Sequence, residues 1–429
     1  MYIDALAGKY RPYAQLAAFC DTSPTRMAYY NHHLAEKFQH PPVPTYRADQ
    51  FGQMLGELRP DAVIVTTPDY LHHAYAVRAM ELGCDVIVEK PMTIDADKAN
   101  AILQAVQHTG RQLRVTFNYR YAPHVTKVRE LVMQGVIGQP LAVDFSWVLD
   151  TRHGAEYFHR WHREMDKSGG LLVHKATHHF DLVNWWINSR PASVFAQGEL
   201  KYYGQQAAAE RGEHYDYTRY TGISAAQNDP FGIFLDRDPL LKALYLDAEN
   251  DSGYIRDRNV FDPGITIYDT MNVMVRYQNG VMMNYSLVAY SPWEGYRVAL
   301  TGTKGRIELY DKHGGHIIRG QSDAELAAEQ AVGHEQSLRV FPMFGVPYTV
   351  DIPPVDGGHG GADPQLLEQL FSPQPPVDRY NRAASHWDGA ASLLVGICAN
   401  ESIRTRQLIR CEDMVPLSPV NQCVETVSL

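Results

Sequence analysis

Cysteine is scarce in this chain of 429 residues: five, widely scattered (Cys20, Cys84, Cys398, Cys411, Cys423), with no C-x-x-C pair. An odd, dispersed set gives no disulfide framework and no cysteine-based zinc site, and it suits a reducing compartment. Basic runs are missing as well. A net charge of −10 and a pI near 6.0 argue against nucleic acid or an anionic membrane as partner. No apolar stretch approaches the roughly 20 residues of a membrane span, and "MYIDALAGKYRP" has no signal-peptide apolar core. The expectation is a cytoplasmic protein that acts on small molecules.

What is present is an ordinary globular composition, 45% apolar and 21% charged, long enough for two cores. From Ala14 to about Asn118, short apolar runs ("AQLAAFC", "DAVIVTT", "CDVIVEK", "QLRVTFN") alternate with helical stretches. That alternation predicts βαβ units and a parallel, doubly wound sheet, an α/β domain over 1–122. Beyond Pro123 come longer alternating segments, "PLAVDFSWVL", "GITIYDTMNVMVRY" and "VMMNYSLVAYS", the last two joined by Asn279-Gly280, a hairpin signal. Residues 123–429 therefore read as an α+β domain with a mostly antiparallel sheet. A polar stretch at about 203–263 reads as an insertion or lid, with Arg256 or Arg258 as candidate contributors. Gly320 to Gly361 reads as irregular, and Pro364 to Arg410 as largely helical.

One further absence bears on function. Asp21 ends the first apolar run, where the second strand of a dinucleotide fold carries an acid for the adenosine ribose hydroxyls, yet no G-x-G-x-x-G lies about 20 residues earlier. "MYIDALAGKY" reads as the end of the helix that should follow such a loop. The expectation is a start placed roughly a dozen residues late, the length of one strand and its turn. Asp21 favours NAD over NADP by repelling a 2′-phosphate, with NADP left possible by nearby Arg26.

The stretch "HKATHHFD" (His174 to Asp181) packs three histidines, a lysine and an aspartate into eight residues. On one continuous helix His174, His178 and Asp181 share a face, opposite Phe180, Val183 and Ile187. His174 and His178 at i, i+4, with Asp181 as a third ligand, have the spacing of a zinc site; with no further coordinating cluster, no metal is expected.

"TTPDYLHH", "GCDVIVEKPMT" and "FNYRYAP" follow in order, each at the carboxyl end of an expected parallel strand, where open α/β sheets bind ligands. Together with "GGLLVHKATHHFD" they resemble the Gfo/Idh/MocA oxidoreductases over Met1 to about residue 410. The resemblance implies a Rossmann domain that binds NAD or NADP and an open-faced C-terminal sheet that covers the substrate. By position it makes Lys90 a catalytic group near the nicotinamide ribose. It puts Thr66, Thr67, Pro68, His72, Glu89 and Asn118 on the cofactor side. His178 matches the histidine of the pattern D-x-G-x-H-x-x-D, a proton-transfer group, with Asp181 expected to hold it. Here the first acid of the pattern is His174 and its glycine is Ala176, so a negative charge is lacking at that place.

Arg120, Trp161, Lys175 and His359 are the expected substrate contacts, Trp161 through sugar stacking or equally as core, and His359 from the glycine-rich "GGHGGAD". The expected activity is hydride transfer between nicotinamide and a secondary alcohol or ketone of a sugar, cyclitol or derivative, by a homo-oligomer joined through its C-terminal sheet. Two alternatives stand beside it: an NAD-dependent glycosidase that works by redox-assisted elimination, and a non-catalytic binding protein of this fold.

Overall fold

The computed structural model describes residues 1–318, 333–353 and 358–417, with only the backbone of Gly358 and His359. The N-terminal half has five short parallel strands in two pieces. β1 (Phe19–Asp21) pairs with β2 (Thr45–Arg47), and β3 (Ala62–Val65), β4 (Asp85–Val88) and β5 (Leu113–Val115) form the other piece. These are the two flanks of a 3-2-1-4-5-6 order, and among the described residues no strand lies between β1 and β3. Helices α1 (Tyr2–Ala7), α2 (Pro24–Phe38), α3 (Phe51–Leu58), α4 (His72–Glu81) and α5 (Ala96–Thr109) alternate with them. The start of α2 follows from its sequence: Ser23 Oγ accepts from the Arg26 N–H at 3.1 Å and Pro24 takes the first helical position.

After α6 (Pro123–Met133), the C-terminal half builds a nine-stranded sheet. Its strands are β6 (Pro140–Asp150), β7 (Pro191–Glu199), β8 (Thr270–Tyr277), β9 (Met282–Ser291), β10 (Gly295–Gly302), β11 (Gly305–Lys312), β12 (Glu335–Pro342), β13 (Tyr348–Thr349) and β14 (Ile409–Arg410). They stand in the order β13-β12-β11-β10-β6-β9-β8-β7-β14, antiparallel at every step except the parallel pair β6–β9. The Asn279-Gly280 hairpin joins β8 to β9, with Gly280 at φ +89°, a conformation that costs glycine little. Along β8, Met271, Val273 and Val275 point into the core while Met274 is 54% exposed on the open face.

The covered face carries α7 (Thr151–His159), α8 (Met165–Ser168), α9 (Leu171–His174), α10 (Thr177–Trp186) and the helix His386–Thr405. That last helix ties the two halves: just before it, the Ala384 carbonyl accepts from the Val115 N–H of β5 at 3.3 Å, and Ser392 Oγ lies 2.9 Å from Thr177 Oγ1. The described part of segment 320–361, expected to be irregular, supplies β12 and β13, and "GGHGGAD" from Gly358 onward begins the helix Gly358–Phe371 rather than a loop. The stretch 203–263 has no strand but is no loose loop. Tyr203, Tyr220, Leu235, Val260 and Phe261 are buried there, the Tyr203 and Phe261 rings with centroids 6.2 Å apart, and Arg163 donates to the carbonyls of Asn259 (3.2 Å) and Asp262 (3.0 Å). No helix among the described residues is long and apolar enough to cross a membrane.

Helix α7 lies so close to β9 that a Cβ on Gly154 would stand 1.8 Å from the Ala289 carbonyl oxygen. Gly154→Ala forces α7 off the sheet and is expected to cost about 1–3 kcal/mol, read as a lowered Tm; an unchanged Tm contradicts this packing.

Candidate active site

The helix expected through "HKATHHFD" is interrupted. His174 ends α9, and the Ala176 N–H turns back to the Leu171 carbonyl at 2.8 Å before Thr177 opens α10. The three side chains therefore diverge. His174 Nδ1 pairs closely with the Asp69 carboxylate from the β3–α4 connection. His178 packs edge-on against Tyr119, with ring centroids 5.0 Å apart, and Phe117, at 6.0 Å. Asp181 points away, its carboxylate gripped by Arg120 through Nε (2.7 Å) and Nη2 (2.6 Å). This corrects two expectations: Asp181 holds Arg120 and not His178, and Arg120 is a buried ion-pair partner of Asp181 and Asp388 rather than a substrate contact. A bidentate guanidinium is the stronger partner for a buried carboxylate, which explains the exchange. Among the described residues no cluster of metal-ligating side chains is arranged around an ion position.

Lys90, His174, Lys175 and His178 line one cavity of about 1110 Å³ together with Tyr119, Tyr157 and Arg160. Burial dominates its electrostatics. It lowers the Lys90 ammonium, against Asp69 and Glu89, and brings Lys175 to about 8 despite Glu294. Lys175 also lies 5.0 Å over the Trp147 ring. Burial raises Asp69 to about 7 while His72, Lys90 and Arg160 pull it down; burial, with Lys90 and Arg160, holds His174 well below an ordinary imidazole. Above about pH 7, once Asp69 has lost its proton, the pair is thus a neutral imidazole whose Nδ1–H donates to a carboxylate. The acid missing from position 174 is supplied from the other half of the chain.

The far wall was not legible in sequence. The Asp311 carboxylate has His334 Nε2 at 3.1 Å, His124 Nε2 at 3.3 Å and His313 Nε2 at 3.6 Å. His313 Nδ1 faces Glu294 at 3.6 Å, and Glu294 accepts from His153 Nδ1 at 2.8 Å. Although burial opposes its charge, His313 is raised to about 9 by Asp311 and Glu294; Asp311, itself opposed by burial, falls to about 2. The signals were "YDKHGGH" and "SPWEGY", polar clusters at strand ends that only the sheet register brings together.

On the cofactor side, Asp21, Thr66, Thr67 and Glu89 stand at the carboxyl ends of β1, β3 and β4. Asp21 Oδ1 accepts from the Ser23 N–H (2.7 Å), and Glu89 Oε1 from the Tyr2 hydroxyl (2.7 Å). Thr67 Oγ1 is buried with no partner, a polar atom that suits a ligand in this crevice. The residues fit the nicotinamide and ribose ends of a dinucleotide, whereas the described residues include no glycine-rich phosphate turn. Pro68 caps the short turn that carries Asp69. His72 is buried between the carbonyls of Thr67 (2.7 Å) and Pro91 (2.8 Å), so it fixes the β3 and β4 loops to each other and does not face a ligand. Asn118 donates to Asp363 at 2.8 Å. Arg26 points to the insertion, its Nε donating to the Leu244 carbonyl at 2.8 Å. Trp161 stacks on His162 with centroids 3.7 Å apart and is absent from the cavity lining. The His359 side chain and Cys423 lie outside the described residues.

Residues 3–117 match the oxidoreductase family's NAD-binding Rossmann fold, and residues 129–410 match its C-terminal alpha/beta domain. The chain belongs to the Gfo/Idh/MocA oxidoreductase family. As a member it is a nicotinamide-dependent oxidoreductase acting on CH–OH groups. It is 35% identical to the putative oxidoreductase YteT of Bacillus subtilis over 440 aligned positions, 98% of this chain and 96% of that protein. It is 31% identical to the inositol 2-dehydrogenase of Rhizobium meliloti over 136 positions, 32% of this chain and 39% of that one. The fold is shared with the WlbA dehydrogenase of Bordetella pertussis, solved with NADH and UDP-GlcNAcA (TM-score 0.60, 17% identity, 95% of this chain and 94% of that one).

His313, at about 9 when folded against about 6.5 unfolded, stabilises the fold fully below pH 6.5, and that stability is lost as pH rises through about 9. His313→Gln should flatten the alkaline fall of Tm; a wild-type curve with no fall between pH 7 and 9.5 contradicts the arrangement.

Proposed function

We propose that this oxidoreductase converts a secondary alcohol of a sugar, cyclitol or sugar derivative to the ketone, reversibly, with NAD. The observation that carries the reading is the convergence of Lys90, the Asp69–His174 pair and His178 on one polar cavity beyond the carboxyl ends of β3 and β4. NAD supplies the hydride acceptor when bound. Lys90 donates a hydrogen bond to the reacting hydroxyl oxygen, and His178 takes the hydroxyl proton as the carbonyl forms. His174 lines the cavity, and with Nδ1–H committed to Asp69 its Nε2 is left as an acceptor. It receives the hydroxyl on the neighbouring carbon, and Lys175 donates to the same diol. Two adjacent hydroxyls read by two imidazoles and two ammonium groups describe a polyol ring better than a simple alcohol.

Asp21 at the end of β1 favours NAD, since its carboxylate accepts from ribose hydroxyls and repels phosphate. Association of copies through the open face of the nine-stranded sheet is supported by exposed Met274 and Met282. Light scattering should return a multiple of the chain mass, and Met274→Glu with Met282→Glu should return the monomer.

The test is a screen of sugars, cyclitols and aryl glycosides that follows NADH formation and released aglycone together. Net NADH without aglycone supports the dehydrogenase; aglycone without net NADH overturns it in favour of redox-assisted cleavage. His178→Ala and Lys90→Ala should each lower kcat at least about 100-fold with the fold intact. Asp69→Asn donates to His174 Nδ1, flips the tautomer and turns Nε2 into a donor. It should raise KM about tenfold, or ~1.4 kcal/mol, with a smaller effect on kcat. Because Asp69 loses its proton near pH 7, kcat/KM of the wild type should rise through that pH, and Asp69→Asn should remove the rise. Full activity in either alanine variant contradicts the assigned roles.

A further inference from the structure

The insertion reaches across to the adenosine end of the cofactor crevice. Asp251, in the short helix Glu249–Ser252, accepts through Oδ2 from the Ser23 hydroxyl (2.5 Å) and from the Thr25 N–H (3.2 Å). Those two donors open α2, directly after Asp21, whose own carboxylate accepts from the Ser23 N–H at 2.7 Å. In a dinucleotide fold this is where the 2′-substituent of the adenosine ribose arrives, and a 2′-phosphate is held by hydroxyl and amide donors there together with an arginine. Here the donors already serve a carboxylate of the chain itself. The arginine is engaged as well: Arg26 Nε donates to the Leu244 carbonyl at 2.8 Å, and its guanidinium lies 5.4 Å over the Tyr245 ring and 6.0 Å over Tyr254, both from the insertion.

We propose that Asp251 is a specificity-determining residue which, seated on Ser23 and Thr25, takes the place of a 2′-phosphate and makes the crevice selective for NAD over NADP. The inference rests on the reading that this chain binds a nicotinamide dinucleotide. Two features follow from its chemistry. Asp21 and Asp251 bring two negative charges to Ser23, so a phosphate meets repulsion as well as occupied donors, whereas a free 2′-hydroxyl donates to a carboxylate without penalty. The residue acts from outside the Rossmann half, because the insertion both delivers the carboxylate and withdraws Arg26. A further cation at this end is Arg47, which faces Asp21 across the β1–β2 register and acts on Asp251 electrostatically. With Asp251 removed, Ser23, Thr25 and Arg47 become available to phosphate.

The experiment titrates NADH and NADPH into the full-length wild type, Asp251→Ala and Asp251→Asn by fluorescence or calorimetry, with Tm as the folding check. The expected result is that the wild type binds NADH at least about tenfold more tightly than NADPH, and that Asp251→Ala narrows the ratio of their Kd values at least about tenfold, mainly through tighter NADPH. Asp251→Asn keeps the shape, removes the charge and should narrow it partly. An unchanged ratio in both variants, with NADH still bound, overturns the role of Asp251 and leaves cofactor binding standing. Failure of the folded wild type to bind either cofactor overturns the dinucleotide reading, and the inference falls with it.

Discussion

Asp69 and His174 are the contact on which the cavity is organised. One comes from the loop after β3 and the other from the end of α9, 105 positions later in the chain. Each is costly alone: a buried carboxylate without a donor and a buried imidazole without an acceptor both lose hydration with nothing in return. Paired, they hold the two halves of the molecule in one register, with Lys90, Lys175 and His178 around the same space. The protonation states of the neighbours follow from that closure, since what draws Lys175 to about 8 and Asp69 to about 7 is removal of water by the opposite half.

The cavity is therefore divided electrostatically. At the nicotinamide end, burial holds the His174 imidazole neutral and lowers the Lys90 and Lys175 ammonium groups, Lys175 to about 8, where it is able to exchange a proton near physiological pH. At the far wall, the Asp311–His313–Glu294 series is fixed in its charged form, a rigid ionic strut across β10, β11 and α7. Helix α7 carries His153 and Tyr157 into this wall, bonded to each other at 2.9 Å, and its height above the sheet is set by the glycine at 154.

Much of this was legible in sequence where the signal is local. Period-two alternation located β6, β8 and β9, the Asn279-Gly280 pair located their hairpin, and Ser23-Pro24 located the start of α2. Lys90, from a motif at a strand end, and His174, Lys175 and His178, from the helical "HKATHHFD", were assigned to one site through the family resemblance and are brought together in space. What was missed depends on distance along the chain. Asp69 lay inside a quoted motif, but nothing local says that its partner is His174. Asp181 is four residues from nothing that competes with Arg120, a residue sixty-one positions away, so its engagement was invisible. The insertion looked polar because its aromatic residues are spaced irregularly; only the folded loop brings Tyr203 and Tyr215 against Phe261.

The parallel pair β6–β9 has a consequence for how the chain folds. Ala142 is in register with Met282, and β10 flanks β6 on its other edge, so the strand beside the active-site helices has no partner until about residue 291 has been made, and its second only at about residue 302. Loop closure over that span must precede any reward from pairing. On the ribosome the N-terminal strands and helices complete their local contacts first. The apolar side of β6 and the residues of α7 then wait in the open, and this interval is the time at which the chain depends most on protection from aggregation.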